Sequence, residues 1–155
     1  MEKMNENVKE LWLGDLESKR YKQGKGYLRT KNDGFCCFGV LCDRYIKETG
    51  KGEWVKATRY GGPDPDGEFW AFKDGSGKTS DSFPTLDVIN WAGLKTASPS
   101  IKLNEKDKKK LQKGLTFVKA NVLGTIMNNG SVTLADMNDN GKKFSTIAKF
   151  IETYL

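Results

Sequence analysis

The stretch FCCFGVLCDRYIKETG, residues 35–50, has the pattern of a mostly buried helix. Apolar side chains recur at helical spacing, at Phe38, Leu41, Cys42 and Tyr45, and the run ends near Gly50. Gly39 lowers the helix propensity inside this run. Because a second chain segment passing close by would account for a glycine at this point, we expect a packing reason for Gly39.

Three more helices are predicted from the same periodicity. They cover roughly residues 4–19, a segment that starts at Pro84 with Asp81 or Ser82 as its cap and ends at Gly93, and the final residues from Phe144 to Leu155. A short helix is also predicted for NEKDKKKLQKG at 104–114. The apolar residues 115–127 are ambiguous between strand and helix.

Strand candidates lie between these helices. Tyr27–Thr30 is a short strand candidate with a turn at residues 32–34, and the aromatic runs EWVKA (53–57) and EFWAFK (68–73) predict a hairpin. The chain has 155 residues, which favours one domain over residues 1–155. The expected fold class is α+β, a small antiparallel sheet packed with about four helices.

The composition excludes several classes of protein. With 37% hydrophobic and 11% aromatic residues the chain is too apolar for a disordered tail, and no apolar run reaches the ~20 residues of a membrane span. The polar start MEKMNENVKE differs from a signal peptide, and three cysteines indicate reduced thiols. We therefore expect a cytoplasmic protein.

Positive charge is concentrated in two segments. The net charge is +6, whereas residues 19–31 alone carry +6 and residues 101–120 carry +5, which leaves −5 for the rest. Such clustering favours an anionic partner. For residues 101–120 a solvated surface is an equally good interpretation. A solvated surface is a weaker interpretation of residues 19–31, where tyrosines and glycines lie between the charged residues.

The stretch GSGKTS at 75–80 resembles the end of a phosphate-binding P-loop. A P-loop needs a glycine five positions before the Gly-Lys pair, where this chain has Phe72, and a helix that starts at the lysine. Here the next helix starts only near Pro84. We interpret the stretch as a loop between a strand and a helix, and Lys78 remains a candidate for an anion site built by other segments.

Few catalytic groups are present. The absence of histidine removes the commonest general base and histidine metal sites, and Cys36, Cys37 and Cys42 have no metal-ligand spacing. The carboxylates that remain as acid–base candidates are Asp43, Asp64, Asp66, Asp87, Asp136 and Asp139. DPDGE at 64–68 lacks a full calcium ligand set, and residues 136–141 are predicted to form a turn that caps the last helix. We assign no catalytic residue, no metal and no cofactor.

Four stretches together resemble a group of small tailed-phage and prophage proteins. They are KQGKGYLR (22–29), FCCFGVLCD (35–43), FPTLDVINWAGL (83–94) and LADMNDNGKKFSTIAKFIE (134–152), which match patterns such as QGxGxLR, CCxGVLCD and LNDxGxSFxxIAxxIE. The chain departs from these patterns at three positions. Phe38 stands in place of leucine, Phe83 precedes Pro84, and Lys143 stands in place of serine. The resemblance implies a phage origin and carries over no functional residue.

The leading hypothesis is a non-catalytic phage protein that binds an anionic nucleotide-derived small molecule, such as a host immune signal. The ligand-binding residues it predicts come mainly from the basic, glycine-rich segment 20–29, whose glycines would let the backbone approach the ligand, and are Arg20, Tyr21, Lys22, Gln23, Lys25, Tyr27, Arg29 and Lys78. Arg29 would hold phosphate, unless it forms a structural salt bridge, for example with Asp43. The first alternative is sequence-independent nucleic-acid binding.

Three further expectations stay open at this point. One is contact inhibition of a host protein, another is cleavage of a nucleotide signal by carboxylates, and the third is self-association of the chain. No membrane partner is expected.

Overall fold

A computed structural model describes residues 3–61, 66–113 and 130–155. Its helices are α1 (Glu6–Glu17), α2 (Cys37–Thr49), α3 (Leu86–Ala92), α4 (Glu105–Lys113), α5 (Leu134–Asp139) and α6 (Phe144–Tyr154). Its strands are β1 (Lys22–Gln23), β2 (Arg29–Thr30), β3 (Gly34–Phe35), β4 (Glu53–Thr58), β5 (Glu68–Lys73), β6 (Thr79–Ser80), β7 (Ser100–Lys102) and β8 (Ser131–Thr133).

The main sheet has the strand order β1-β3-β2-β5-β4, and β6 also pairs with β5. All pairs are antiparallel except β1 and β3, which run parallel. A second, two-stranded sheet joins β7 to β8. The α+β class predicted from the sequence is confirmed, as is the β4–β5 hairpin.

Helix α2 lies at the centre of the core and packs against α1, α3, α5 and β3. Trp12 of α1 is fully buried and its indole Nε1 donates to the carbonyl of Cys37 at 2.9 Å. The expected close contact at Gly39 is present: a Cβ at this position would lie 1.8 Å from the carbonyl oxygen of Leu28. The chain entering β2 therefore passes directly over α2, with the backbones in contact.

The predicted start and N-cap of α3 are wrong. Helix α3 begins at Leu86, with Thr85 at its N-cap position, and not at Pro84 behind Asp81 or Ser82. The carboxylate of Asp81 instead accepts from Arg59 and from the hydroxyl of Ser82.

The expected turn at residues 136–141 is largely helical. Thr133 caps α5 by accepting from the backbone N–H of Asp136, and Leu134 and Met137 are buried, so capping and burial outweigh the turn preference of the Asp and Asn residues. Helix α6 consequently starts without a cap from this segment. The predictions for Asp64 and for residues 115–127 lie outside the described residues.

The three cysteines are buried and free. Cys36 occupies the N-cap of α2, where its sulfur accepts from the backbone N–H of Gly39 at 3.4 Å, and burial raises the pKa of its thiol to about 12. The thiolate is the reactive form of cysteine. Burial and this high pKa therefore keep the group inert in the folded chain.

We expect a thiol reagent to label native protein slowly and to label three thiols per chain after denaturation. Mass spectrometry of the labelled protein counts the modified cysteines. Rapid modification of all three in the native state would contradict the packing of α2.

Candidate functional site

The predicted binding segment 20–29 is docked on the turn between α5 and α6. The Gln23 amide donates to the side-chain oxygen of Asn138 at 2.9 Å and to the carbonyl of Lys142 at 2.7 Å. Asn138 is fully buried and donates in turn to the carbonyl of Gly24 at 2.8 Å. Both hydrogen-bonding atoms of this buried amide are paired, so segments about 115 residues apart in sequence are held in one register.

Glycines in this segment meet the protein's own backbone. A Cβ on Gly24 would lie 2.7 Å from the carbonyl carbon of Gly34 in β3, and the N–H of Gly26 donates to Asp139 at 3.4 Å. The sequence predicts that these glycines admit a ligand. The close approach that Gly24 permits is instead to β3.

Helix α6 begins beside this junction with its N-terminus open. Lys143 occupies the N-cap with extended backbone, and among the described residues no side chain caps the first turn. Thr146 and Ile147 donate to the Lys143 carbonyl, while Lys143 and Ser145 are exposed. The unpaired N–H groups of a first helical turn and the helix dipole both attract negative charge.

A cleft of about 570 Å³, here called the α6 cleft, separates this helix start from residues 16–23. It is lined by Leu16, Glu17, Lys19, Tyr21, Gln23, Lys143, Phe144, Ser145 and Lys149. Its charged groups are three ammonium groups and one carboxylate, and Ser145 adds a hydroxyl. Cations, a hydroxyl and a helix N-terminus form a surface suited to an anionic group such as phosphate.

Tyr21 forms an aromatic wall of the α6 cleft. Its hydroxyl donates to Asp43 at 2.5 Å and accepts from Lys47 at 2.7 Å, and its ring packs edge-on against Phe35. Burial raises the pKa of Tyr21, and the Asp43 carboxylate raises it further. The hydroxyl is therefore held neutral and committed to the protein, which leaves the ring as the part that faces a ligand.

Asp43 belongs to the same network. Burial raises the pKa of its carboxyl, but the hydrogen bonds from Tyr21, Trp54 and Lys47 outweigh burial and hold the pKa below its ordinary value. An ionised carboxylate with this many donors is a structural acceptor. It is poorly suited to act as a general acid or base near neutral pH.

Arg29 is engaged within the sheet. Its Nε and Nη2 both donate to Asp33, at 3.0 and 2.7 Å, and the guanidinium lies 4.7 Å from the ring centre of Trp70. The salt bridge considered from the sequence thus exists, with Asp33 and not with Asp43 as partner. The guanidinium lies outside the α6 cleft, and phosphate binding by Arg29 stays a prediction.

The remaining predicted residues are dispersed. Tyr27 is buried and stacks on Phe69 at 4.5 Å, so its predicted exposure to a ligand is corrected: the ring belongs to a small core on the sheet. Arg20 is exposed and pairs with Asp15 at 3.2 Å, and Lys22 and Lys25 are exposed. Of the eight predicted residues, the α6 cleft contains Tyr21 and Gln23.

Lys78 lies in the turn between β5 and β6. The carboxylate of Asp74 accepts from the N–H of Ser76, the hydroxyl of Ser76 and the N–H of Lys78, and the chain then enters β6 at Thr79. The stretch is a hairpin turn closed by an aspartate. A P-loop would continue into a helix at this lysine, so the resemblance to one is superficial.

Sequence reasoning missed the basic residues at the start of α6. The pattern Gly-Lys-Lys at 141–143 directly before a helical period was the available indication, because a helix N-terminus attracts anions. It was overlooked because residues 136–141 were interpreted as the cap of that helix.

The described residues contain neither a metal-binding cluster nor a membrane-spanning helix. No group of three or more acidic, cysteine or histidine side chains in residues 3–61, 66–113 and 130–155 is placed to hold a metal ion. Within the same ranges, no helix combines the length and the apolar character needed to cross a bilayer.

Comparison with protein families assigns residues 4–155 to one family. They match the family described as a domain of unknown function, DUF8296, and because the match covers almost the whole chain, the chain belongs to that family. Neither the curated proteins nor the solved structures contain a match to it.

Proposed function

We propose that this member of the DUF8296 family binds a small, anionic, nucleotide-like molecule in the α6 cleft. The observation that carries the proposal is that three lysines and Tyr21 line one cleft with the N-terminus of α6, which no side chain of the described residues caps. Cationic groups and helix amides would hold a phosphate, and the aromatic wall would contact a base or sugar.

Binding without catalysis is the form of the proposal that the cleft supports. Among the described residues that line the cleft, Glu17 is the one carboxylate. The neighbouring Asp43 is occupied by three donors from Tyr21, Trp54 and Lys47. In line with the phage resemblance, we propose that the protein sequesters a nucleotide-derived immune signal in the cytoplasm of an infected bacterium.

A panel of ligands tests the proposal directly. Isothermal calorimetry of the full chain with AMP, ADP-ribose and cyclic dinucleotides, at fixed ionic strength, measures the affinity of each. Binding of at least one of them is expected. If none binds, the proposal is wrong.

Lys143→Ser is expected to change stability and binding in opposite directions. Serine is a strong N-cap, so it should stabilise α6 by about 0.5–1 kcal/mol, whereas loss of the ammonium should weaken binding of AMP several-fold. Thermal unfolding and calorimetry on the same variant measure both effects. A variant that is more stable and binds equally well would remove Lys143 from the site.

Lys149→Ala is expected to weaken AMP binding by about tenfold to 100-fold, since a charge-assisted hydrogen bond to phosphate contributes about 1.5–3 kcal/mol. Lys149 is exposed, so its removal should leave the melting temperature unchanged. The matched control is Lys109→Ala on α4, an exposed lysine that lines none of the cavities described here. Equal losses for the two variants would indicate a general charge effect and contradict a specific site.

Nucleic-acid binding is the second candidate function. It is favoured by the positions of the two basic segments, because Lys19 of the first lies in the α6 cleft and Lys110 of the second lines a cavity on the other side of Lys149. Gel shifts with single- and double-stranded DNA and RNA at two salt concentrations separate the candidates. Binding to duplex DNA should lose about 0.9 log units of affinity per neutralised phosphate for each tenfold increase in salt concentration. A loss this steep indicates nucleic-acid binding, whereas a shallow loss indicates an enclosed small ligand.

A further inference from the structure

A second cavity lies beside the α6 cleft. It has a volume of about 500 Å³, lies between α4 and α6, and is called here the α4–α6 cavity. Its cationic lining residues are Lys110, Lys142 and Lys149, of which Lys149 also lines the α6 cleft. Lys149 is thus shared by the two spaces.

The two cavities offer similar chemistry. The α6 cleft pairs lysines with the rings of Tyr21 and Phe144, and the α4–α6 cavity pairs lysines with the ring of Phe150 and the hydroxyls of Thr146 and Thr153. Each volume falls within the ~300–1,000 Å³ typical of small-ligand sites. Each therefore has room for one nucleotide, with cations for its phosphate and an aromatic surface for its base.

Lys142 connects the two spaces. Its carbonyl accepts from Gln23, which lines the α6 cleft, while Lys142 itself lines the α4–α6 cavity. Asp107 and Glu152 also line this cavity, and Asp107 is occupied by the hydroxyl of Tyr154 at 2.6 Å. Among the described residues that line the two spaces, the balance of charge is positive, with five lysines against three carboxylates.

We infer that the site takes a dinucleotide, a ligand with two phosphate-bearing halves seated on opposite sides of Lys149. This inference rests on the proposed function and specifies its ligand class. A mononucleotide in one cavity contacts at most three of the five lysines. A dinucleotide contacts both sets at once, and joining two binding events in one molecule raises the overall affinity without any new kind of contact.

Calorimetry of the full chain with AMP, with the linear dinucleotide pApA and with cyclic diadenylate tests the inference. We expect one dinucleotide per chain, bound at least about tenfold more tightly than AMP, the gain that one further 1.4 kcal/mol contact provides. Lys110→Ala should remove most of this preference, so that the affinity for the dinucleotides falls toward the affinity for AMP. Lys109→Ala, its neighbour on α4, should leave both unchanged, and melting temperatures verify that the variants are folded.

The outcomes separate this inference from the proposed function. If AMP binds as tightly as the dinucleotides, or if Lys110→Ala leaves the preference intact, the dinucleotide inference is overturned. A several-fold loss of AMP affinity in Lys143→Ser would in that case still support the α6 cleft as a mononucleotide site. If none of the three ligands binds, the dinucleotide inference is wrong, and the proposed function then depends on whether ADP-ribose binds in the ligand panel described above.

Discussion

Replacement of Gly39 by alanine is expected to destabilise the protein by about 3 kcal/mol or more, or to prevent folding. The added Cβ would lie 1.8 Å from the Leu28 carbonyl oxygen and 2.8 Å from its carbonyl carbon. Both atoms belong to backbone that also accepts from the N–H of Cys36 at 3.2 Å, so neither can move without loss of that hydrogen bond. Urea unfolding of the purified variant measures the change.

Gly14→Ala is the matched control, because Gly14 also lies inside a helix, α1, with nothing within 4 Å of its missing Cβ. Alanine should stabilise that helix by about 1 kcal/mol, the ordinary difference in helix propensity. Opposite signs for the two variants would establish that the contact with Leu28, and not propensity, decides the effect. A stable Gly39→Ala protein would contradict the packing of β2 on α2.

Loss of the Asp15 carboxylate is expected to lower the free energy of unfolding by about 3–5 kcal/mol, the range for breaking a buried ion pair by removing one partner. The Asp15 side chain is 1% exposed and accepts from Arg44 at 2.6 Å through Nε and at 2.5 Å through Nη2. These bonds raise the pKa of Arg44, which stays charged. Asp15→Ala would therefore leave a charged, largely buried guanidinium without its main partner.

Glu48→Ala is the control for Asp15→Ala, since Glu48 also pairs with Arg44, at 3.0 Å, but its side chain is 40% exposed. An exposed pair of this kind contributes about 0–1 kcal/mol. Chemical denaturation of both variants gives the comparison. If both variants lost similarly small amounts of unfolding free energy, apolar packing and not this ion pair would stabilise the contact between α1 and α2.

The long elements of the fold were predictable because their apolar periods are long. Helix α2 was predicted within residues 35–50 and spans Cys37–Thr49, and the β4–β5 hairpin matches its two aromatic runs. The two-residue strands β1 and β3 were missed, since strands this short have no sequence period and exist through their partners. Helix α5 was missed because Asp and Asn favour turns when only local preference is considered.

The candidate site was only partly predictable for a related reason. The sequence marks segment 19–31 as basic and aromatic, which leads to Tyr21 and Gln23 in the α6 cleft. The sequence does not show that the Gln23 amide donates to Asn138. Nor does it show that Arg29 donates to Asp33 and packs over the ring of Trp70. Those pairings come from the tertiary fold, and they decide which basic residues of the segment remain exposed to a ligand.

The central claim, that the start of α6 is an anion-binding site, is tested most directly by a ¹H–¹⁵N NMR titration of the full chain with AMP. The amide resonances of Phe144 and Ser145 should shift most, because their N–H groups belong to the first turn that would face the phosphate, whereas the Thr146 N–H already donates to the Lys143 carbonyl. Saturable shifts confined to these residues and the lysines of the α6 cleft are the result we predict. Shifts centred on Arg29 or Lys78, or no saturable shift, would contradict the claim.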